Sequence, residues 1–115
     1  MDKNTFGNAE NIKSLGYIVD YVEKMDEKRR RRISNFVHNV NSFTTNFMCS
    51  KRYFAISLLT GTQMRRIIND AKNSYTHSLE HLVVNLKLSE EMAGYLHNYL
   101  VAKFRQLKRC YANIN

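Results

Sequence analysis

The chain has no proline, no tryptophan and only four glycines (Gly7, Gly16, Gly61, Gly94) in 115 residues. Sheet proteins of this size turn often and use those residues to do so, so the scarcity excludes most small β architectures. Two cysteines, Cys49 and Cys110, do not make a disulfide scaffold; the expected state is a pair of reduced thiols. No run approaches the ~18 apolar residues that a membrane span needs. The opening residues MDKNTFGNAEN lack the apolar centre of a signal peptide, so a cytoplasmic, membrane-free protein is expected. There is no glycine-rich phosphate loop, no Cys-x-x-Cys pair and no nucleophile elbow, which removes the commonest short signatures of catalysis. Neither an enzyme nor a cofactor is expected.

Acids are the last scarcity, and their distribution is uneven. Residues 28–115 hold fifteen bases against four acids (Asp70, Glu80, Glu90, Glu91), a net of +11. Residues 1–27 hold six acids and three bases, a net of −3, and the two parts sum to the overall +8. A small, strongly basic chain points to a polyanion as partner. Hydrophobic residues make up 43%, enough to bury one core, so a single domain over 1–115 is expected.

Apolar spacing reads as helix throughout, giving a compact all-α bundle of four to five helices. An acidic N-terminal helix over 8–25 carries Ile12, Leu15, Val19 and Val22 at spacings of three and four. The basic remainder, 28–112, follows. A second helix from Glu27 to Phe47 carries Ile33, Phe36, Val37, Val40, Phe43 and Phe47. No strong breaker separates these two, so one long or kinked helix is an alternative. Ser50 can cap a third helix to about Asn73, with Tyr53, Ile56, Thr60, Met64, Ile67, Ala71 and Tyr75 facing inward. Thr76 can cap a short fourth, with Leu79, Leu82, Val83 and Leu86. Ser89 before Glu90 and Glu91 is an N-terminal signal for the last helix. That helix runs to about Tyr111 on Ala93, Leu96, Leu100, Phe104 and Leu107. Tyr95 and Tyr99, beside this stripe, could instead meet a neighbouring protein.

Three basic groups are candidate backbone contacts. On one long third helix, Lys51, Thr62, Arg65, Arg66, Asn69 and Asn73 would share a side, with Lys72 at its edge and Arg52 next to Lys51. Charge and amides without a base-reading pattern imply contact with phosphates and little sequence preference. The run Lys28–Arg32, with Arg29 and Arg30, would form a second patch; its alternative is a solvated segment paired to Glu23, Asp26 and Glu27. Lys103, Arg105, Lys108 and Arg109 crowd the last helix, where cations also suit the helix dipole.

His77-Ser78-Leu79-Glu80-His81 has the form H-x-x-E-H of an inverted zinc-protease motif. That chemistry needs two imidazoles on zinc, a glutamate base and a third protein ligand. Five residues match such a pattern easily by chance, and the expected role is a surface helix turn with exposed histidines.

From residue 51 the chain shows an aromatic pair (Tyr53, Phe54), an apolar stretch broken at Gly61, and an amphipathic continuation (Ile67, Ile68). A Leu-x-x-Leu turn (Leu79, Leu82), a Leu-x-Leu step (Leu86, Leu88) and a helix closing on Leu107 and Tyr111 follow. This half of the chain resembles the C-terminal helical segment of the large subunit of type I-B CRISPR interference complexes, which those systems also make as a separate small subunit. Leu59 to Ile68 is similar to a helix start in the small subunit of type III complexes. The resemblance implies a non-catalytic subunit stacked in copies along a crRNA-guided complex. Its partners would be crRNA and target DNA or RNA backbone and the other effector subunits. Lys51, Arg52, Arg65 and Arg66, then Lys103, Arg105, Lys108 and Arg109, would touch phosphates. The charge split adds head-to-tail self-association, acidic first helix against a basic neighbour. Two other readings stand beside it: a small helical inhibitor, viral or plasmid-encoded, docking on an acidic protein, and a zinc hydrolase built on His77, Glu80 and His81.

Overall fold

The structure, a computed structural model, describes residues 15–53 and 61–110, without the side chains of 49–53. Among the described residues there are four helices and no strand: α1, described over 15–23, α2 (Glu27–Tyr53), α3 (Gly61–Leu86) and α4 (Glu90–Cys110). The protein is an all-α helical bundle. None of these helices is long and apolar enough to cross a membrane.

A tight turn separates α1 from α2, which rules out one continuous helix. Lys24 N–H donates to the Tyr21 carbonyl (3.2 Å) and Met25 N–H to that of Val22 (3.0 Å). The Asp26 carbonyl then accepts the first bond of α2 from Arg30 N–H (3.0 Å), which makes Asp26 the N-cap residue. Glu27 follows in the first turn, where an acid suits the helix dipole.

Two expected boundaries are corrected. Helix α2 continues past Phe47 to Tyr53, so Ser50 lies inside it rather than at the start of a third helix. Helix α3 runs unbroken from Gly61 to Leu86, so the expected third and short fourth helices are one element from the glycine onward. Thr76 does not cap; its hydroxyl donates back to the Lys72 carbonyl (2.8 Å) within the helix. The polar run around residues 72–78 suggests a break, yet Met64, Ile68, Ala71, Tyr75, Leu79, Leu82 and Leu86 keep helical spacing through it. Burial of that stripe outweighs the local preference of Asn and Ser for caps and turns.

The α3–α4 connection is closed by hydrogen bonds rather than glycine. Leu88 N–H donates to the Val83 carbonyl (3.0 Å) and Lys87 N–H to that of Val84 (3.3 Å), the Schellman arrangement. It puts Lys87 at φ 52°, a left-handed conformation that favours glycine. Helix α4 starts as expected: the Ser89 hydroxyl accepts from Met92 N–H (3.1 Å), with Glu90 and Glu91 in the first turn.

Helix α4 is the centre of the core. Met92, Leu96, Leu100, Phe104 and Leu107 are fully enclosed, and α2 and α3 both pack on it. Each such side chain contributes about 1.5–3 kcal/mol through burial. Phe104 sits between Phe43 of α2 (ring centroids 5.9 Å) and Tyr75 of α3 (6.1 Å). The buried Thr44 hydroxyl bonds to the Val40 and Asn41 carbonyls of its own helix, so it enters the core without an unmet donor.

The first helix presents a different face from the one its spacing suggests. Ile18 and Val22 are buried, but Leu15 (37% exposed) and Val19 (47%) border an open cleft. Aromatic contacts set this rotation. Tyr17 stacks on Tyr95 (4.6 Å, 17°) and Tyr21 lies 5.6 Å from the same ring. Tyr95 is thus engaged within the chain, and Tyr99 is buried, so neither is an open docking surface. Expected core positions Ile12, Ile56, Thr60 and Tyr111 lie outside the described residues, and so does the Tyr53 side chain. Ile67, expected inward, is exposed, and Ile68 takes its place in the core.

Candidate nucleic-acid interface

Helix direction decides which cations meet. Tyr75 Oη donates to the Asn39 carbonyl (3.4 Å), and Arg32 and Phe36 share a cleft with Ser78 and Leu82. Residue numbers fall along α2 as they rise along α3, so the two are antiparallel. The three-residue connection Lys87–Ser89 makes α4 antiparallel to α3. Tyr17 stacks on Tyr95 while Tyr21 bonds Glu91, one turn earlier, so α1 runs antiparallel to α4 too. The bundle is therefore up-down-up-down. One end gathers the C-terminal turns of α2 and α4 and the N-terminal turns of α3.

That end is basic. Arg65, Arg66 and Lys72 of α3 lie there with Arg105, Lys108 and Arg109 of α4, six cations from two helices. The last turn of α2 adds Lys51 and Arg52 by its backbone position; their side chains lie outside the described residues. Asp70 is the single acid in residues 61–79 of α3 and 92–110 of α4. Arg65, Arg66, Arg105, Lys108 and Arg109 are exposed and Lys72 is half-buried. Asn69 and Asn73 are exposed on the same helix as Arg65 and Arg66.

The single-helix row expected from Lys51 to Arg65 does not exist. Lys51 lies in the last turn of α2 and Arg65 belongs to α3, so the two come to one end of the bundle through an antiparallel pair. Lys103 is a second correction. It was expected among the phosphate contacts, but it is enclosed against the core at 9% exposure, and desolvation lowers its pKa.

The Lys28–Arg32 run lies at the opposite end, among acids. Arg29 pairs with Asp26 (3.6 Å) and Arg31 with Glu27 (3.0 Å), while Arg30 donates to the Met25 carbonyl (3.2 Å). Such exposed pairs stabilise weakly, by about 0–1 kcal/mol. They nevertheless occupy Arg29 and Arg30 with the α1–α2 turn, away from the basic end. Glu91 on this acidic side accepts from Tyr95 Oη (3.0 Å) and from Tyr21, which holds its carboxyl below the usual range. The same bond pushes the Tyr21 phenol up to about 12. Spacing alone did not pick out this Tyr21–Glu91–Tyr95 cluster, because its members come from two helices 70 residues apart.

His77 and His81 share one side of α3 as expected, with Nε2 atoms 3.1 Å apart. Among the described residues no group of three or more His, Cys, Asp or Glu side chains is placed to hold a metal ion. The third protein ligand that a zinc hydrolase needs is therefore missing from this set.

No protein-family model, curated protein or solved structure matches the chain.

Proposed function

We propose that the protein is a non-catalytic module that binds the phosphate backbone of nucleic acid through the basic end of its bundle. The observation that carries this reading is the convergence of Arg65, Arg66, Lys72, Arg105, Lys108 and Arg109 with one acid, Asp70, among them. Arg65 and Lys72 are seven residues apart, about 10 Å along α3. Over that length α3 carries three cations, and one strand of a duplex presents about three phosphates, so the helix and a backbone match in charge spacing. Helix dipoles act on the same residues. Cations near the C-terminus of α4 would stabilise it by about 0.3–1 kcal/mol each without any ligand. That effect accounts for Lys108 and Arg109 but not for Arg65 and Arg66, which are far from the C-terminal turn of α3. The residues that local structure does not ask for are the ones that support binding.

Within this reading the assembly is a crRNA-guided CRISPR interference complex, with the chain as a small subunit beside guide–target duplex or displaced strand. Its acidic end, with Glu23, Asp26, Glu27, Glu90 and Glu91, would face the basic end of the next copy. A second reading has its own observation. The cleft of about 430 Å³ between α1 and α2, edged by exposed Leu15 and Val19, favours a protein-interaction module.

Fluorescence anisotropy with single-stranded and duplex oligonucleotides tests the first reading. Affinity should fall linearly in log–log terms with salt. Arg65→Glu with Arg66→Glu should abolish binding while the circular dichroism spectrum stays unchanged. No binding by the unaltered chain at ~50 mM salt would overturn the proposal. A tagged pull-down from the host would then separate guide RNA from a single protein partner.

A further inference from the structure

Backbone binding leaves the histidine pair on α3 unused. His77 and His81 are one turn apart and exposed, with ring centroids 4.6 Å apart and ring planes nearly perpendicular at 85°. Their Nε2 atoms approach to 3.1 Å. Two imidazoles meet this way only if one ring is a donor and the other an acceptor, so at least one Nε2 lone pair already points into the gap.

We propose that His77 and His81 chelate a first-row divalent transition metal, Cu²⁺, Ni²⁺ or Zn²⁺, through their Nε2 atoms. With metal–nitrogen bonds of about 2.05 Å, nitrogens 3.1 Å apart subtend about 98° at a shared ion. That angle lies between the square-planar and tetrahedral values, so the pair suits either geometry with small ring rotations. Imidazole is a preferred ligand of these metals. Chelation replaces the Nε2–H···Nε2 bond. The donor ring moves its proton to Nδ1 by exchange with water, both Nε2 lone pairs go to the metal, and no proton is lost overall.

The surroundings set limits on the site. Glu80 is the nearest acid in sequence, one residue before His81, and Arg32 of α2 lines the same cleft as His81. With no third ligand among the described residues, the remaining coordination positions belong to water. Such a site holds a metal and links one turn of α3 to itself; it does not form the closed cage of a structural zinc.

Titration of the full chain with Cu²⁺, followed by calorimetry and electron paramagnetic resonance, tests this. The unaltered chain should bind one ion with two-nitrogen hyperfine structure. His77→Ala and His81→Ala should each weaken binding by at least about tenfold, because the second imidazole is delivered intramolecularly. Each variant should reduce the signature to one nitrogen. Both positions are exposed, so the variants keep the helical spectrum. Ions should also raise the melting temperature of the unaltered chain and not of the variants. Equal Cu²⁺ affinity in the unaltered chain and both variants would overturn the assignment, as would loss of binding only on replacing His38 or His97.

Discussion

Replacing Phe104 by alanine should remove about 3–5 kcal/mol of folding stability. The ring is fully enclosed at the centre of α4, so about 1.5–3 kcal/mol of burial is lost. It also loses its packing on Phe43 (5.9 Å) and Tyr75 (6.1 Å). Aromatic pairs of this kind are worth about 0.5–1.5 kcal/mol each beyond area. The sum agrees with the range of about 3–5 kcal/mol for Phe→Ala in packed cores. A small domain has about 5–15 kcal/mol in total, so the variant should unfold at clearly lower urea. Phe104→Leu keeps most of the volume and should cost less than about 2 kcal/mol. Val84→Ala, at 74% exposure, should stay within about 0.5 kcal/mol of the unaltered chain. Urea denaturation followed by far-ultraviolet circular dichroism reads all three. A cost below about 1.5 kcal/mol for Phe104→Ala, at unchanged denaturant slope, would refute the placement of this ring between three helices.

Local devices give further expectations. Ser89→Ala should lower stability by about 1 kcal/mol by removing the bond to Met92 N–H, read in the same denaturation series. Lys87→Gly should raise it by about 0.5–1 kcal/mol, since glycine accepts φ 52° without the strain of a side chain. Tyr21 has a folded pKa of about 12 against 10.0 unfolded, through its bond to Glu91. Its contribution is complete below about pH 10 and is lost as pH rises towards 12, because the unfolded chain releases the proton first. Tyr21→Phe should flatten that alkaline fall in melting temperature. Glu91 behaves in the opposite sense: its pKa is lowered by Tyr21 and Tyr95, so its contribution is present above the ordinary carboxylate range and lost on acidification. Lys103 is desolvated and its pKa is lowered, so the folded state resists its charge and Lys103→Met should raise the melting temperature at neutral pH.

Helix existence was legible at the level of residue types. Proline is absent, and apolar residues recur at three and four through most of the chain, which leaves little else for the backbone to do. The start of α4 could be read outright, since Ser89, Glu90 and Glu91 form a strong local signal that needs no tertiary partner. The other boundaries could not. Ser50 and Thr76 have the chemistry of caps, but a cap acts only where the hydrophobic stripe also stops, and through Thr76 the stripe continues. Asp26 had the opposite fate: an acid read only as an ion-pair partner became the N-cap residue because the chain turned there.

The candidate site followed the same division. Residue types and their order by themselves determined that the protein is basic and that its acids are concentrated early, because charge is carried residue by residue. They also determined the all-helical class, through spacing and the lack of turn residues. Which cations stand together was decided by tertiary structure. Arg65 and Lys108 share an end only because α3 and α4 run antiparallel, while Arg29 and Arg30 are carried to the far end and engaged there. Lys103 shows the limit most sharply. It sits in a row of bases along the sequence, yet its position on α4 turns it towards the core. Charge is written residue by residue, but exposure depends on which face of each helix the neighbouring helices cover, and that is fixed only when the whole core packs.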